Sequence, residues 1–103
     1  MADTFTLYKL IILYMLDKVS FPLSNAQLSE FILEKEYTDY FTVQTALSEL
    51  NETGFLRMST VRNTSLYHIT EEGRKTLSYF QNRISSDIRD EIDAFLEEHS
   101  YEL

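Results

Sequence analysis

The sequence predicts a winged helix-turn-helix, a mostly α-helical fold with a three-helix core, a small two-stranded wing and additional C-terminal helices. Three observations lead to this prediction. Residues 24–27 carry a complete helix start signal, residues 43–50 repeat apolar side chains at helical spacing, and two short strand-like segments follow at once. Two helices joined by a short turn, with a hairpin directly after the second, define the winged form of the motif.

The composition favours a single domain without disulfide bonds. The chain has 103 residues, of which 44% are hydrophobic, and this is enough for one modest core. It has no cysteine, which excludes disulfides and thiolate metal sites. The apolar run at residues 10–16 is too short to cross a bilayer, and the N-terminus carries no recognisable secretion signal. We therefore expect a soluble, cytoplasmic protein that makes no membrane contact.

The net charge of −8 is spread unevenly along the chain. Residues 42–75 carry four basic and four acidic side chains, whereas residues 76–103 carry two basic and seven acidic ones. Binding to nucleic acid depends on cations that neutralise phosphates. The total charge therefore opposes DNA binding, and the neutral middle of the chain is the part that permits it.

The first helix is predicted over Thr4–Lys18, and its apolar residues cover almost the whole circumference. Such a helix must be buried on several sides, and in a small domain this favours cover by a partner subunit. We expect a winged-helix domain over residues 1–84 and an acidic amphipathic helix over residues 85–103. This last helix could dock on the first helix of its own chain or of a partner, and the apolar surface left on the first helix favours a partner and hence dimerisation. The predicted dimer interface consists of apolar residues from both helices: Phe5, Tyr8, Ile12, Ile88, Ile92 and Phe95.

The second helix begins at a capping box formed by Ser24 and Gln27. The third is predicted to begin with Thr42 as its N-cap and to end at Gly54, where a left-handed residue suits a helix C-terminus. Its apolar face comprises Val43, Ala46, Leu47 and Leu50. The aromatic residues between the two helices are predicted to be core residues that fill the gap: Tyr37, Tyr40 and Phe41.

Two strands are predicted over residues 55–61 and 66–70, joined by a polar turn at residues 62–65. Thr70 then caps a fourth helix whose first turn holds Glu71 and Glu72, where the helix dipole favours acids. The serines at 85 and 86 interrupt the helix and begin the last one.

The candidate DNA-contacting residues lie at the start of the second helix, on the exposed face of the third and at the wing. Gln44 can recognise adenine, Thr45 and Ser48 can contact bases or phosphates, and Arg62 can enter the minor groove or hold a phosphate. The full set is Asn25, Thr42, Gln44, Thr45, Ser48, Arg62, Asn63 and Thr64. The alternative is a solvated polar face, because none of these helix residues is basic.

Enzymatic activity is not expected. His68 and His99 are the only histidines, and neither stands in a spacing typical of a metal site or of a nucleophile and its base. The chain has two glycines and no glycine-rich phosphate loop. We expect no metal and no cofactor, and the sequence identifies no small-molecule effector.

Two sets of residues carry a family resemblance. The segment TEEGRKTL at residues 70–77, after LYHI, resembles the strand-to-helix junction of winged-helix bacterial regulators of the PadR and MarR kind. The stretches LYKLIILYML (7–16), YFTVQ (40–44) and ITEEG (69–73) resemble an uncharacterised bacterial winged-helix family, domain of unknown function 4364. The resemblance implies a transcriptional regulator that dimerises.

The sequence thus favours a homodimeric regulator of double-stranded DNA with its third helix in the major groove and half-sites about 10 bp apart. With about three phosphate contacts per subunit, the slope of log K against log salt would be near −5. The alternative is a winged-helix module that binds protein rather than DNA, as the acidic charge suggests.

Overall fold

The structure is a computed structural model that describes residues 4–99, so the outer ends of the two predicted domains, residues 1–3 and 100–103, lie outside it. The elements are α1 (Thr4–Lys18), β1 (Leu23–Ser24), α2 (Asn25–Glu34), α3 (Tyr40–Glu52), β2 (Leu56–Val61), β3 (Thr64–Ile69), α4 (Glu71–Phe80), a 3-10 turn (Gln81–Arg83) and α5 (Ser86–Glu98). The fold is mostly helical with one small antiparallel sheet. This order is compatible with the predicted winged helix-turn-helix.

Helix α1 is the centre of the core. Its bounds confirm the prediction, and every residue from Leu10 to Leu16 is buried. The helix packs against α3, α4, β3 and α5 of its own chain. These elements supply the cover that the sequence alone led us to expect from a partner subunit. Among the described residues, no helix is both long enough and apolar enough to cross a membrane.

Local hydrogen bonds fix the helix starts. The capping box of α2 is confirmed: Ser24 Oγ accepts from the Gln27 N–H at 3.1 Å, and Gln27 Oε1 accepts from the Ser24 N–H at 2.8 Å. Thr70 caps α4, as predicted, and Ser85, within the segment predicted to interrupt and restart the helix, is the N-cap of α5. The predicted N-cap of α3 was wrong, because the cap is Asp39, whose carboxylate accepts the Thr42 N–H at 2.8 Å.

The sheet has three strands in the order β1-β3-β2, one more than predicted. β2 and β3 pair from Leu56 with Ile69 out to Val61 with Thr64, so the connecting turn has two residues rather than the four predicted. Arg62 and Asn63 both have positive φ, 51° and 66°, as a tight hairpin with right-handed strand twist requires. β1 is only two residues long, too short to show an alternating pattern in the sequence.

The junction between β3 and α4 is hydrogen-bonded to residues 54 and 55, which follow α3. Thr70 Oγ1 donates to the Gly54 carbonyl at 2.6 Å, and the Thr70 N–H donates to the Phe55 carbonyl at 3.0 Å. Gly73 is buried in the first turn of α4, and a Cβ built there would lie 2.3 Å from the Phe55 carbonyl oxygen. Glycine at this position therefore permits a backbone approach that no other residue allows. Gly54 has the predicted left-handed conformation, with φ of 85°.

Helix α5 docks on its own chain. The Phe95 ring meets Phe31 of α2 edge to face at 5.2 Å, and the Tyr14 hydroxyl of α1 donates to the Asp93 carboxylate at 3.1 Å. Burial and the adjacent Asp93 carboxylate raise the pKa of Tyr14. Three of the six residues predicted to form a dimer interface are thus buried within one chain: Ile12, Ile92 and Phe95. The other three are partly exposed: Phe5, Tyr8 and Ile88.

His99, at the end of α5, contacts both α5 and α2. Its Nδ1 donates to the Phe95 carbonyl at 2.9 Å, and its Nε2 lies 3.4 Å from a carboxylate oxygen of Glu30. The hydrogen bond to the Phe95 carbonyl and the negative charges of Glu30 and Glu98 raise the pKa of His99 above its usual 6.5. The imidazolium form, which donates from both ring nitrogens, suits this position best.

We expect the docking of α5 to strengthen as the pH falls from 8 to 6. Because the folded pKa of His99 lies above the unfolded value, protonation adds stability that is complete below pH 6.5 and is lost as the pH rises through the folded pKa. Thermal unfolding of the His99→Gln variant should therefore differ from wild type more at pH 6 than at pH 8. All other titrating groups are common to both proteins. An equal difference in thermal stability at the two pH values would therefore contradict a raised pKa of His99.

Candidate nucleic-acid interface

One face of α3 is left uncovered by the rest of the described chain. Val43, Ala46, Leu47 and Leu50 are buried, as predicted. The opposite face is exposed and follows helical spacing along the helix: Phe41, Thr45, Ser48 and Glu52. We call these four residues the outer row of α3. They line a shallow, open depression together with Gln44 and Glu49.

Gln44, the predicted adenine reader, is tied to α2. The Asn25 side-chain amide donates to Gln44 Oε1 at 2.6 Å, and the Gln44 amide donates to Asn25 Oδ1 at 2.9 Å. Ser29, the only buried polar residue in the described part of the chain, donates to the same Asn25 oxygen at 2.9 Å. Asn25 and Gln44 thus form a reciprocal amide pair that joins the two helices. In this arrangement the two amides hold α2 against α3, and these hydrogen bonds would have to break before either amide could bind a base.

We expect Asn25→Ala to destabilise the protein by about 1 kcal/mol, because the Gln44 amide and the Ser29 hydroxyl lose their partner in a partly buried position. The matched control is Thr45→Ala on the outer row. Thr45 makes one hydrogen bond, to the Phe41 carbonyl at 3.0 Å, and is exposed, so its loss should stay within about 0.5 kcal/mol. Urea unfolding of both variants checks the difference, and equal losses would contradict a structural role for the amide pair.

The remaining predicted contacts lie on or near the surface. Thr42 is half-buried in the first turn of α3, and its N–H is used by the Asp39 cap. That hydrogen bond lowers the pKa of Asp39, so this carboxylate stays charged beside the outer row. Asn63 and Thr64 are exposed at the hairpin tip with Arg62.

Two cations of the hairpin are free to meet an anion. Arg62 and Arg57 are exposed and form no ion pair within the described part of the chain. On α3, Glu49 is neutralised by Lys9 of α1, whose Nζ lies 2.7 Å from the Glu49 carboxylate. The other acid on this part of α3, Glu52, forms no ion pair within residues 4–99.

Sequence reasoning missed the exposed aromatic residues at the start of α3. Phe41 is 79% exposed and Tyr40 is 51% exposed, so both predictions of core packing were wrong, whereas Tyr37 does pack against the core. The cause is the misplaced helix start. With Tyr40 as the first helical residue, Phe41 lies roughly 160° around the axis from Val43 and must point away from the core.

Tyr37 is held by hydrogen bonds to two other elements of the fold. Its hydroxyl is hydrogen-bonded to the Glu91 carboxylate of α5, and its carbonyl accepts from the Tyr8 hydroxyl at 2.7 Å. Burial and the Glu91 carboxylate together raise the pKa of Tyr37. Tyr37 therefore joins α1, the turn before α3 and α5.

Comparison with known proteins identifies the family but gives no function. No curated protein and no solved structure matches the chain. Residues 8–103 match a family described as Domain of unknown function (DUF4364). The match includes all three stretches that suggested this family, apart from Leu7, and it covers most of the chain. The chain therefore belongs to the DUF4364 family.

Proposed function

We propose that this chain is a DNA-binding transcriptional regulator with a winged helix-turn-helix fold, similar to regulators of the PadR and MarR kind. It acts as a homodimer in the cytoplasm, with α3 in the major groove and the hairpin turn on the flanking backbone or minor groove. The observation that carries the proposal is the outer row of α3. It is a helix face that residues 4–99 do not cover, and a short connection joins it to a hairpin with two arginines that form no ion pair within those residues.

The charges around α3 support this proposal more than the total of −8 suggests. The Lys9–Glu49 ion pair removes one negative charge beside the outer row. Two of the acids of α5 are hydrogen-bonded within the chain. The Asp93 carboxylate accepts from the Tyr14 hydroxyl, and the Glu91 carboxylate accepts from the Tyr37 hydroxyl. Phosphates would be met by the hairpin cations Arg57 and Arg62 rather than by α3 itself.

The dimer contact is proposed to use the end of α4 instead of the residues that are buried within one chain. Tyr79 is 74% exposed and Phe80 is 39% exposed, with Arg83 stacked over the Phe80 ring at 4.9 Å from its centroid. Large apolar side chains that are this exposed to water favour association with another surface. The half-exposed Phe5, Tyr8 and Ile88 remain candidates for the rim of the interface.

The experiment that tests DNA binding is a selection from random duplexes, followed by titration of the selected site at several salt concentrations. The informative variants are Arg62→Asn and Arg62→Lys. Asparagine accepts the positive φ of the turn and removes the charge, whereas alanine would also strain the hairpin. Loss of one phosphate contact in each subunit should reduce the salt slope of the dimer by about 2, and lysine should retain it. Failure to select any duplex at 50 mM salt would overturn the proposal.

The exposed aromatic pair favours a second candidate function, a module that binds protein. Phe41 and Tyr40 stack edge to face at 6.1 Å, and Glu52 adds negative charge to the same helix. Aromatic residues are enriched at protein interfaces. In this case the random selection would recover no duplex, and Phe41→Ala would abolish binding to a protein partner while leaving the fold intact.

A further inference from the structure

Phe41 and Thr45 are neighbours on the outer row of α3, one helical turn apart. The Phe41 ring is 79% exposed, although a phenyl side chain is normally among the most buried. Phe41 is the second residue of α3, and recognition helices contact base edges with their N-terminal residues. A large apolar group thus occupies the position that approaches the floor of the groove.

The polar groups nearby are already committed to the protein. Both atoms of the Gln44 amide are bonded to Asn25, and the Thr45 hydroxyl donates to the Phe41 carbonyl at 3.0 Å. Because its proton is used in this way, the Thr45 hydroxyl can only accept a further hydrogen bond, and its methyl group is available for apolar contact. The first two turns of the outer row therefore present an aromatic ring, a methyl group and one acceptor oxygen, but no side-chain hydrogen-bond donor.

The floor of the major groove carries one apolar group, the C5-methyl of thymine, and phenyl rings and threonine methyls are suited to contact it. We propose that Phe41 and Thr45 recognise thymine C5-methyl groups, so that each half-site carries thymine at the positions facing the start of α3. The inference rests on the proposed function of DNA binding through α3. It replaces hydrogen-bond recognition by Gln44, which the sequence suggested, with apolar recognition.

The test removes the methyl groups one at a time from the DNA. In the selected duplex, each thymine is replaced by deoxyuridine, which keeps the base pair and lacks only the C5-methyl. Loss of a buried methyl contact should weaken binding about fourfold for each contact, or about 15-fold when both half-sites are changed. Replacement at thymines outside the α3 contacts should leave binding unchanged.

The matching protein variants complete a double-mutant cycle. Thr45→Ser removes the methyl and keeps the hydroxyl, and Phe41→Ala removes the ring from a position where 79% exposure makes unfolding no concern. Each variant should bind the thymine site more weakly and should lose the sensitivity to deoxyuridine at the base it contacts. Arg62→Asn, which acts at the hairpin, should bind more weakly but keep the full sensitivity.

Two outcomes overturn the inference and distinguish it from the proposed function. If wild type binds the selected duplex and deoxyuridine has no effect at any position, DNA binding stands and methyl recognition is wrong. The same conclusion follows if Phe41→Ala and Thr45→Ser keep the wild-type sensitivity to deoxyuridine. If wild type selects no duplex, the proposed function fails and the inference fails with it.

Discussion

Replacing Gly73 with alanine is expected to destabilise the protein by about 3 kcal/mol. The added Cβ would lie 2.3 Å from the Phe55 carbonyl oxygen and 2.9 Å from Ile69 Cγ1. The carbonyl is backbone and cannot rotate away, and its position is fixed by the hydrogen bond from the Thr70 N–H. Helix α4 would have to move away from the chain that leaves α3.

Gly54 provides the matched control for this experiment. A Cβ there would meet no atom within 4 Å, so alanine at Gly54 costs only the strain of φ at 85°, about 1 kcal/mol. In chemical denaturation, the free energy of unfolding of Gly73→Ala should therefore be well below that of Gly54→Ala. If the two variants were equally stable, or if the order were reversed, the close approach of α4 to Phe55 would not constrain the fold. The glycine of the TEEG segment is thus required by space, and Gly54 by backbone conformation.

Replacing Phe95 with alanine is expected to cost about 3–4 kcal/mol, because it empties a buried site against the Phe31 ring. This loss should appear as reduced stability of the individual chain, since Phe95 packs on α2 of its own chain. The proposed self-association of the folded protein should not change with this substitution. Urea unfolding measures the first quantity, and light scattering over a range of concentrations measures the second.

Tyr79→Ser is the variant that separates the two roles. Tyr79 is 74% exposed, so serine there should change the stability by no more than about 0.5 kcal/mol and should weaken self-association. If Phe95→Ala instead weakened self-association and left the stability of the chain unchanged, α5 would dock on a partner, as the sequence first suggested. Loss of both properties in Tyr79→Ser would place this residue in the core and contradict its exposure.

The parts of the fold that depend on local chemistry could be predicted from the sequence. Ser24, Thr70 and Ser85 act as caps because each places a side-chain oxygen at the end of a helix, a property of a few adjacent residues. The apolar face of α3 follows from spacing alone. The N-cap of α3 was harder, because Asp39 and Thr42 are both good caps and three residues apart, and an error of one turn at this point misplaced Phe41 and Tyr40.

The features that were missed depend on contacts between distant segments. The Lys9–Glu49 ion pair and the docking of Phe95 on Phe31 join residues that no periodic pattern relates. The amide pair of Asn25 and Gln44 is of the same kind: each residue is polar and near a helix start, so each resembled a DNA contact. Of the candidate site, the exposed polar row and the hairpin tip could be predicted, whereas the apolar character of its first turn could not.

Ser24 holds two structural roles at once, and this restricts how the domain can move. It pairs with Leu66 in the sheet and caps α2, and the next residue, Asn25, is bonded to Gln44 of α3. A force on the hairpin would thus be transmitted through β3 and Ser24 to α2, and through the Asn25–Gln44 hydrogen bonds to α3. When the hairpin bends or tightens on a ligand, α3 should therefore tilt slightly. The hairpin and α3 would then move together rather than independently.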